Sequence, residues 1–325
     1  MIDDWTIVAH AVSGGLGFLL TFLLIPRLIR SFGRRGIIGI DMNKIDRPQV
    51  AEMGGVAVVI GFFVGVSSIL MYAAITKGNF IADAPLILAA LIATLGCAMV
   101  GVVDDLFELR QRVKAALPVL FGIPLGVYVV DTAIHLPRGV DIELGILSIP
   151  VIAFMVSAGA NAANMLEGFN GLGSGLGLIM SGTLIVLSVL TPHPDALVLL
   201  VPFFGATLAF FLFNKYPSRV FPGDTFTLFM GGVLVCSAVI MGFKEVGALL
   251  FIPMILEFLV KARHRFTKEC YGVPQPDQTL VHEGEIGSLT HLLMRGGRAT
   301  ERRVVGVLWS LESLICVLVL ALVLF

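Results

Sequence analysis

Ten stretches of apolar and small residues, each close to the length of a membrane-crossing helix, dominate this chain. A helix needs about 20 apolar residues to cross a bilayer, and a chain with 57% hydrophobic and 14% charged residues is not an ordinary soluble domain. We therefore predict an all-α, polytopic membrane protein with about ten transmembrane helices in a single domain, residues 1–325. The stretches are Ile7 to Ile25, Gly54 to Ile75, Ala84 to Val103, Ala115 to Val130, Ile146 to Ala163, Gly171 to Leu190, Ala196 to Phe213, Thr225 to Met241, Val246 to Val260 and Val304 to Phe325.

The first stretch is expected to remain as a helix, because the acidic start MIDDWT is unlike the basic start of a cleaved signal peptide. The four cysteines, Cys97, Cys236, Cys270 and Cys316, show no CxxC spacing, and three of them lie within apolar stretches. We interpret them as packing residues rather than as metal ligands or disulfide partners.

Basic residues are distributed unevenly between the two ends of these stretches. When the connections are assigned alternately to two faces, 19 of the 22 lysines and arginines fall on one face, and only Lys77, Arg138 and Lys244 fall on the other. The positive-inside rule makes the first face cytoplasmic and places both termini outside. The cytoplasmic connections also carry nearly every unusual polar residue. The sequence therefore predicts a site at the cytoplasmic face of a cell membrane.

Asp104 and Asp105 form a carboxylate doublet directly after the third stretch. Charge at the end of a membrane span is rare unless it is solvated, paired or functional, so the doublet is a candidate centre of chemistry. Lys114 follows it and can offer a point charge to a phosphate group. Acid and base are therefore expected to meet at one membrane edge.

Two asparagines in the segment NAANMLEGFNG, Asn161 and Asn164, are three residues apart and are expected on one face of a helix end. The amide oxygen of Asn164 suits a hard cation such as Mg²⁺, and Asn170 with Gly171 indicates a turn. The structural alternative is that these asparagines only cap the helix and its turn.

Asp224 follows a proline-glycine turn in the segment VFPGDTF, at the start of an apolar helix. Capping of that helix is one interpretation. Ligation of Mg²⁺ is the other, because Mg²⁺ bound to a diphosphate takes only one or two protein carboxylates. Phe221, just before the turn, either stacks on a base or anchors the chain at the membrane interface.

Arg263, His264 and Arg265 follow the ninth stretch. Arginines can bind phosphate oxygens in bidentate fashion, although an ordinary positive-inside cluster is the alternative. Glu257 and Glu312 lie inside apolar stretches, where we expect each to have a partner within the bundle.

Taken together, these motifs resemble the polyprenyl-phosphate N-acetylhexosamine-1-phosphate transferases, a branch of glycosyltransferase family 4 that includes the bacterial MraY and WecA enzymes. The resemblance runs nearly the full length and includes an NKxxRPxxxE-like stretch from Asn43 to Glu52. Glu167 and Asn170 stand where the bacterial enzymes usually have aspartates, and RHR replaces a histidine run. These departures resemble the dolichyl-phosphate branch, and the short last loop favours an archaeal member.

The resemblance implies roles for the residues near the phosphates. Asn164 and Asp224 would bind Mg²⁺, with Mn²⁺ as an alternative, and Asn161 would support that site. The catalytic group would be Asp104, Asp105 and Lys114. The doublet would orient Lys114, hold water or take a proton.

The resemblance also implies a set of residues that contact the nucleotide sugar. Phe221 and Asn170 would hold the uracil. Lys114, Arg263 and Arg265 would contact the diphosphate, and His264 and Arg265 would lie near the amino sugar. Asn43 and Glu52 would belong to the substrate-binding residues through the first cytoplasmic loop, which Glu52 would hold in order.

The implied reaction transfers GlcNAc-1-phosphate from UDP-GlcNAc to a polyprenyl or dolichyl phosphate and releases UMP, which initiates a lipid-linked glycan. Another UDP-sugar or undecaprenyl phosphate remains open, as do a one-step displacement and a covalent aspartyl-phosphate intermediate. No nucleic-acid partner is implied, and a homodimer is one open assembly. A transporter or flippase is the rival class, but we find no internal repeat of the kind it predicts.

Overall fold

The computed structural model describes residues 4–76, 81, 83–136, 140–297 and 299–325. Most of these residues are helical, which confirms the all-α class. Lys77, Arg138 and the first three residues of MIDDWT lie outside the described residues. The helices are α1 (Asp4–Arg35), α2 (Gly55–Thr76), α3 (Ala84–Phe107), α4 (Gln111–Tyr128), α5 (Ser148–Met165), α6 (Leu172–Leu190), α7 (Leu197–Asn214), α8 (Gly223–Ile240), α9 (Lys244–Leu250), α10 (Ile252–Arg263), α11 (Leu289–Met294) and α12 (Glu301–Leu324).

Short antiparallel strands lie in the connections between helices. They are β1 (Ile38–Ile40), β2 (Gln49–Ala51), β3 (Ala133–Leu136), β4 (Val140–Glu143), β5 (Val273–Pro274), β6 (Thr279–Val281) and β7 (Ala299–Thr300). β1 pairs with β2 so that Gly39 faces Val50, β3 pairs with β4, and β5, β6 and β7 form a small sheet with β6 in the centre. These strands give a defined shape to loops that would otherwise be long and irregular.

Eight helical segments of the described chain are long and apolar enough to cross a membrane. They correspond to eight of the ten predicted stretches, so the chain is a multi-pass membrane protein. The segments are Asp4–Arg35, Gly55–Thr76, Ala84–Phe107, Gly145–Met165, Leu172–Leu190, Pro194–Asn214, Gly223–Ile240 and Glu301–Leu324.

The two other predicted stretches have a different form, and the count of ten is not confirmed. Ala115 to Val130 falls on α4, which has a polar first turn and two internal prolines. Val246 to Val260 is divided between the short helices α9 and α10, which meet at Phe251. Pro253 explains this break, because proline has no N–H for a helical hydrogen bond and its ring disfavours a helical conformation before it.

The helix α8 is the centre of the bundle. Of its most apolar segment, 83% is buried, against 28% for α1 and 22% for α12. It packs against α3, α5 and α2, and its own residues from Thr225 to Ile240 are all buried, as expected for an enclosed helix. The helices α1 and α12 therefore lie at the periphery, where their exposed apolar side chains suit contact with lipid.

All four cysteines are buried and not cross-linked. Each belongs to the apolar core, Cys97 on α3, Cys236 on α8, Cys270 after α10 and Cys316 on α12. Their burial in the core agrees with a role in packing.

The helices α3 and α8 approach each other closely at Gly101. A Cβ atom at this position would overlap the carbonyl oxygen of Asp224 and the Cα atom of Thr225. Only a residue without a side chain allows this contact, which brings the end of α3 directly against the first turn of α8.

We expect Gly101→Ala to lower the free energy of unfolding by about 1–3 kcal/mol, because the added methyl group must displace backbone atoms of α8. Unfolding in mixed detergent micelles would measure the change. Gly306→Ala in α12 is the matched control, because a Cβ atom there meets nothing within 4 Å. Equal stability of the two variants would contradict the close packing of α3 on α8.

Candidate active site

The carboxylate doublet at the end of α3 divides between two sets of contacts. Asp104 accepts hydrogen bonds from the Leu109 backbone N–H at 2.8 Å and from Lys114 Nζ at 2.9 Å. Asp105 accepts bonds from the backbone N–H groups of Asp224 at 2.6 Å and Thr225 at 3.0 Å, and from the Thr225 hydroxyl at 2.6 Å. Asp105 therefore caps the N-terminus of α8 from a neighbouring helix.

Because Asp105 caps α8, Asp224 does not have the N-cap role that the local sequence suggested. The local alternative made Asp224 the N-cap, but the cap position belongs to Pro222, and Asp224 lies in the first turn. Gly223 has a φ of +66°, and a Cβ atom there would lie 2.6 Å from Asp105 Oδ2. Because Asp105 serves the N–H groups, the carboxylate of Asp224 is left to face Lys114.

Lys114, at the start of α4, bridges two carboxylates from different helices. Its ammonium group pairs with Asp104 of α3 and with Asp224 of α8. The side chain of Lys114 is only 6% exposed, whereas that of Asp224 is 24% exposed. A cation is thus held beside a carboxylate that remains accessible from outside the bundle.

Asn164, at the end of α5, lies beside the same turn of α8. Its Oδ1 accepts a hydrogen bond from Thr227 at 3.1 Å, and Thr227 also bonds to the backbone oxygen of Asp224 at 3.4 Å. The structure therefore brings the two predicted metal ligands to adjacent places. Carboxylate and amide oxygens are hard donors, and this donor set fits Mg²⁺.

The side chain of Asn161 is bonded to its own helix. Its amide nitrogen donates to the Ser157 backbone oxygen at 2.8 Å, one turn earlier in α5. Ser157 in turn donates to the backbone oxygen of Ala115 in α4 at 2.5 Å. Asn161 is thus joined to the contact between α5 and α4, near Lys114 in sequence.

Phe221 lies on the connection between α7 and α8, which is attached to the first loop by backbone hydrogen bonds. Its N–H donates to the Ala51 oxygen, and its own oxygen accepts from the Gly54 N–H, both at 2.8 Å. The ring lies over Gly39 of β1, where a Cβ atom would be 2.9 Å away. Glu52 is beside it, and burial together with the negative charge of Asp105 raises the pKa of Glu52.

Lys44 is the centre of a second charged cluster. Its ammonium group pairs with Asp41 and lies 3.2 Å from Glu301 Oε2, 3.3 Å from Asn170 Oδ1 and 4.8 Å from the centre of the Tyr216 ring. Burial alone lowers the pKa of Lys44, but Asp41 and Glu301 raise it above its ordinary value. Lys44 therefore stays charged and joins the first loop to the start of α12.

Asn170 is buried within this cluster. Its amide nitrogen donates to Asp41 at 3.0 Å, its side-chain oxygen accepts from the Ser218 N–H at 2.6 Å, and its own N–H donates to Glu301 at 2.8 Å. The side chain thus bonds to protein groups on the first loop and on the segment before Phe221.

Asn43 differs from Asn170, because one polar atom of its side chain has no hydrogen-bond partner among the described residues. Its amide nitrogen donates to the Gly168 backbone oxygen at 2.9 Å. Its Oδ1 is buried and has no hydrogen-bond partner among the residues that the structure describes. Buried acceptors without partners are rare in proteins, so this oxygen is suited to a donor group of a ligand or water.

Arg263, His264 and Arg265 lie at the C-terminal end of α10, and both arginines are exposed. His264 Nε2 lies 2.9 Å from the Ile286 backbone oxygen, and Nδ1 lies 3.6 Å from Glu285. The histidine is thus held by the last connecting segment, while the arginines are accessible. The described contacts do not join either arginine to Asp224.

Glu257 and Lys261 of α10 attach this region to the candidate metal ligand. Glu257 is fully buried and accepts from the Ser288 hydroxyl at 3.0 Å and the Leu289 N–H at 2.7 Å, so it binds the start of α11. Lys261 lies 3.3 Å from Glu257 and donates to the backbone oxygen of Met165, which follows Asn164. The expectation that Glu257 has a partner within the protein is confirmed.

Glu167, in the α5–α6 connection, is half-buried beside Cys270. Its Oε2 has no hydrogen-bond partner among the described residues, and burial raises the pKa of this carboxyl to about 7. Its backbone oxygen accepts from Cys270 Sγ at 3.3 Å. The same contact holds the segment after α10 against the end of α5.

Sequence reasoning missed several residues of the site. Some signals were present, because Lys44 lies within the NKxxRPxxxE-like stretch and the i, i+4 spacing of Glu257 and Lys261 favours an ion pair. The residues that were not singled out as functional are Asp41, Lys44, Thr225, Thr227, Lys261 and Glu301.

The fold and the site define a multi-pass membrane protein whose carboxylates, amides and cations converge at one end of its helix bundle. Residues 87–242 match the family model described as glycosyl transferase family 4. The chain belongs to this family, as its resemblance predicted.

Named relatives cover most of the chain. A protein of Saccharolobus solfataricus, provisionally named UDP-N-acetylglucosamine–dolichyl-phosphate N-acetylglucosaminephosphotransferase, is 34% identical over 93% of this chain and 93% of its own length. The Schizosaccharomyces pombe protein of that name is 31% identical over 77% of this chain and 66% of its own. The phospho-N-acetylmuramoyl-pentapeptide-transferase of Bacillus pumilus is 29% identical over 69% and 73%.

We expect Lys44→Met to lower the free energy of unfolding by about 3 kcal/mol, because it leaves Asp41 and Glu301 buried without their cation. Unfolding in mixed detergent micelles would measure the loss. Lys268→Met is the control, because Lys268 and Glu285 form an exposed pair at 3.8 Å, and its effect should stay within about 0.5 kcal/mol. Similar losses in the two variants would show that the Lys44 cluster does not hold the loops together.

Proposed function

We propose that this protein transfers GlcNAc-1-phosphate from UDP-GlcNAc to a polyprenyl phosphate such as dolichyl phosphate, with release of UMP. The names of its relatives support this reaction. The arrangement of Lys114 between Asp104 and Asp224 supports it most directly. A buried cation beside an accessible carboxylate, at the end of a membrane bundle, suits a reaction between a lipid phosphate and a soluble diphosphate.

Asn164 and Asp224 would hold the metal ion of this reaction. We propose Mg²⁺, with Mn²⁺ as a substitute, because both residues present hard oxygen donors beside the same turn of α8. When bound, Mg²⁺ would neutralise charge on the diphosphate and align it. Lys114 would then be released from part of its contact with Asp224 and offer its charge to phosphate.

A one-step displacement is the proposed mechanism. The second pKa of a phosphate monoester is about 6, so at neutral pH the lipid phosphate is mostly a dianion and needs little help from a base. One of its oxygens would attack the phosphorus that carries the sugar. A new P–O bond would form as the bond to the bridging oxygen breaks, and UMP would leave with that electron pair.

Asp104 and Asp105 would act as positioning residues in this mechanism. Asp104 would orient Lys114, to which it is bonded at 2.9 Å, and Asp105 would hold the turn that carries Asp224. All four carboxylate oxygens accept hydrogen bonds from protein groups, and this arrangement favours the one-step route over a covalent aspartyl-phosphate.

The nucleotide would bind on the side of the first loop. Phe221 would stack on the uracil, and the unpaired Oδ1 of Asn43 would accept a hydrogen bond from the base. Asn170 would act by holding Asp41 and the segment before Phe221 in place, and Glu52 would order the same loop. In this proposal Asn170 and Glu52 act by positioning the loops and do not themselves contact the nucleotide.

The sugar and diphosphate would meet the end of α10. Arg263 and Arg265 are exposed there and can bind phosphate oxygens, while His264 is held by the last segment near the expected sugar. The distribution of basic residues supports a site on the cytoplasmic face of a cell membrane, with both termini on the outer face.

Purified protein with Mg²⁺, UDP-GlcNAc and dolichyl phosphate should release UMP in proportion to lipid product, and omission of the lipid should abolish it. Undecaprenyl phosphate, UDP-GalNAc and UDP-MurNAc-pentapeptide, tested in parallel, would define the acceptor and donor. Absence of UMP with every pair of donor and acceptor would overturn the proposed reaction.

Asp224→Asn should raise the Mg²⁺ concentration needed for half-maximal turnover by more than about tenfold, because a neutral amide binds the metal ion more weakly than a carboxylate. Mg²⁺ titration of UMP release would measure it. Asp195→Asn is the control, since Asp195 bonds to the Asp83 N–H at the start of α3, far along that helix from the doublet. An unchanged Mg²⁺ requirement in Asp224→Asn would remove this residue as a ligand.

A further inference from the structure

The peripheral helix α1 carries a groove of arginines that the proposed reaction does not use. A cavity of about 400 Å³ is lined by Arg27, Arg30, Arg34, Arg35 and Ser31. All four arginines are exposed. Within the described part of the chain, none of them pairs with a carboxylate. The groove is therefore a concentrated positive charge without a counterion.

The position of this groove along α1 follows from the length of the helix. At about 1.5 Å per residue, its 32 residues span about 48 Å, more than the roughly 30 Å of a bilayer's hydrocarbon core. The apolar stretch ends near Ile25, and the arginines begin at Arg27. They accordingly lie at the level where lipid headgroups begin.

One face of α1 continues from apolar residues into these arginines. Leu16, Leu19 and Leu23 are exposed, and Arg27, Arg30 and Arg34 follow them in steps of three or four residues, which keep all six side chains on one helix face. Such a stripe offers an apolar contact for part of an acyl chain and ends in charges suited to a phosphate.

Two of the guanidinium groups are held along this face. Arg27 Nη1 donates to the Leu23 backbone oxygen at 2.6 Å, and Arg30 Nε donates to the Pro26 oxygen at 3.2 Å. Each retains other N–H groups for a ligand, because guanidinium has five donors. The favourable effect of cations at a helix C-terminus accounts for Arg34 and Arg35 in the last turn but not for Arg27 and Arg30.

We infer that this face binds one anionic phospholipid of the surrounding bilayer, with its phosphate in the arginine groove and an acyl chain along Leu16, Leu19 and Leu23. Clusters of basic residues directly after a membrane helix attract anionic headgroups. A polyprenyl phosphate has the same two chemical parts. However, α1 packs on α2 and α7, whereas the candidate catalytic carboxylates belong to α3 and α8, so the bilayer lipid is the occupant assigned here.

Native mass spectrometry of the delipidated, full-length protein can test this site without measuring turnover. The titrants are phosphatidylglycerol, phosphatidylcholine with the same chains, dolichyl phosphate and the chain-free headgroup glycerophosphoglycerol. We expect one tightly bound phosphatidylglycerol. The triple variant Arg27→Gln, Arg30→Gln and Arg34→Gln should bind it about 100-fold more weakly, at about fivefold for each arginine lost.

A control variant loses the same three positive charges from positions outside the arginine groove. Lys215→Gln, Arg219→Gln and Arg295→Gln remove three exposed cations from other connections on the same side, and this variant should bind phosphatidylglycerol like the unmodified protein. If the triple arginine variant does not fold, Arg30→Gln and Arg34→Gln can be measured singly, each with an expected fivefold loss.

Several outcomes would overturn the inference. Binding of phosphatidylglycerol that is unchanged in the arginine variants, or equal to that of phosphatidylcholine, would remove the groove as a headgroup site. If the triple arginine variant lost binding of dolichyl phosphate but kept binding of phosphatidylglycerol, the groove would belong to the lipid substrate. Equal affinity for glycerophosphoglycerol would exclude the acyl chain from the leucine face.

Discussion

The capping of α8 by Asp105 is the contact on which the geometry of the site depends. The first N–H groups of a helix have no partner within that helix, and at the edge of a membrane bundle the protein itself must supply acceptors. Asp105 provides both oxygens to three donors on Asp224 and Thr225. This contact joins the end of α3 to the start of the central helix, so Asp104 and Asp224 face Lys114 from different helices.

The position of the site could be predicted from the sequence, but its internal contacts could not. Polar motifs at the ends of apolar stretches predict a charged membrane edge, and the structure brings Asn164 close to the turn of Asp224 as expected. The local rule for helix starts favours Asp224 as its own cap. Asp105 takes that role because Gly101 lets α3 approach α8 closely, and such an approach depends on packing between residues far apart in the chain.

The fold shows a similar division between local and distant effects. Composition identifies the eight long apolar helices, because a membrane span is a property of consecutive residues. It overestimates the stretch around Pro253, where a single residue without an N–H divides the helix. The sheet of β5, β6 and β7 joins Val273 to Thr300 through β6, and no local pattern indicates strands of two or three residues that pair across such a separation.

The cluster around Lys44 has a consequence for how relatives of this chain can diverge. Lys44, Asn170 and Ser218 come from three separate connections and Glu301 from the start of α12, and each bonds to at least one of the others. A loop transplanted alone from a relative would bring one part of this cluster without its partners. Exchange of these loops between family members should thus require grafting the connections as a set, with the start of α12 included.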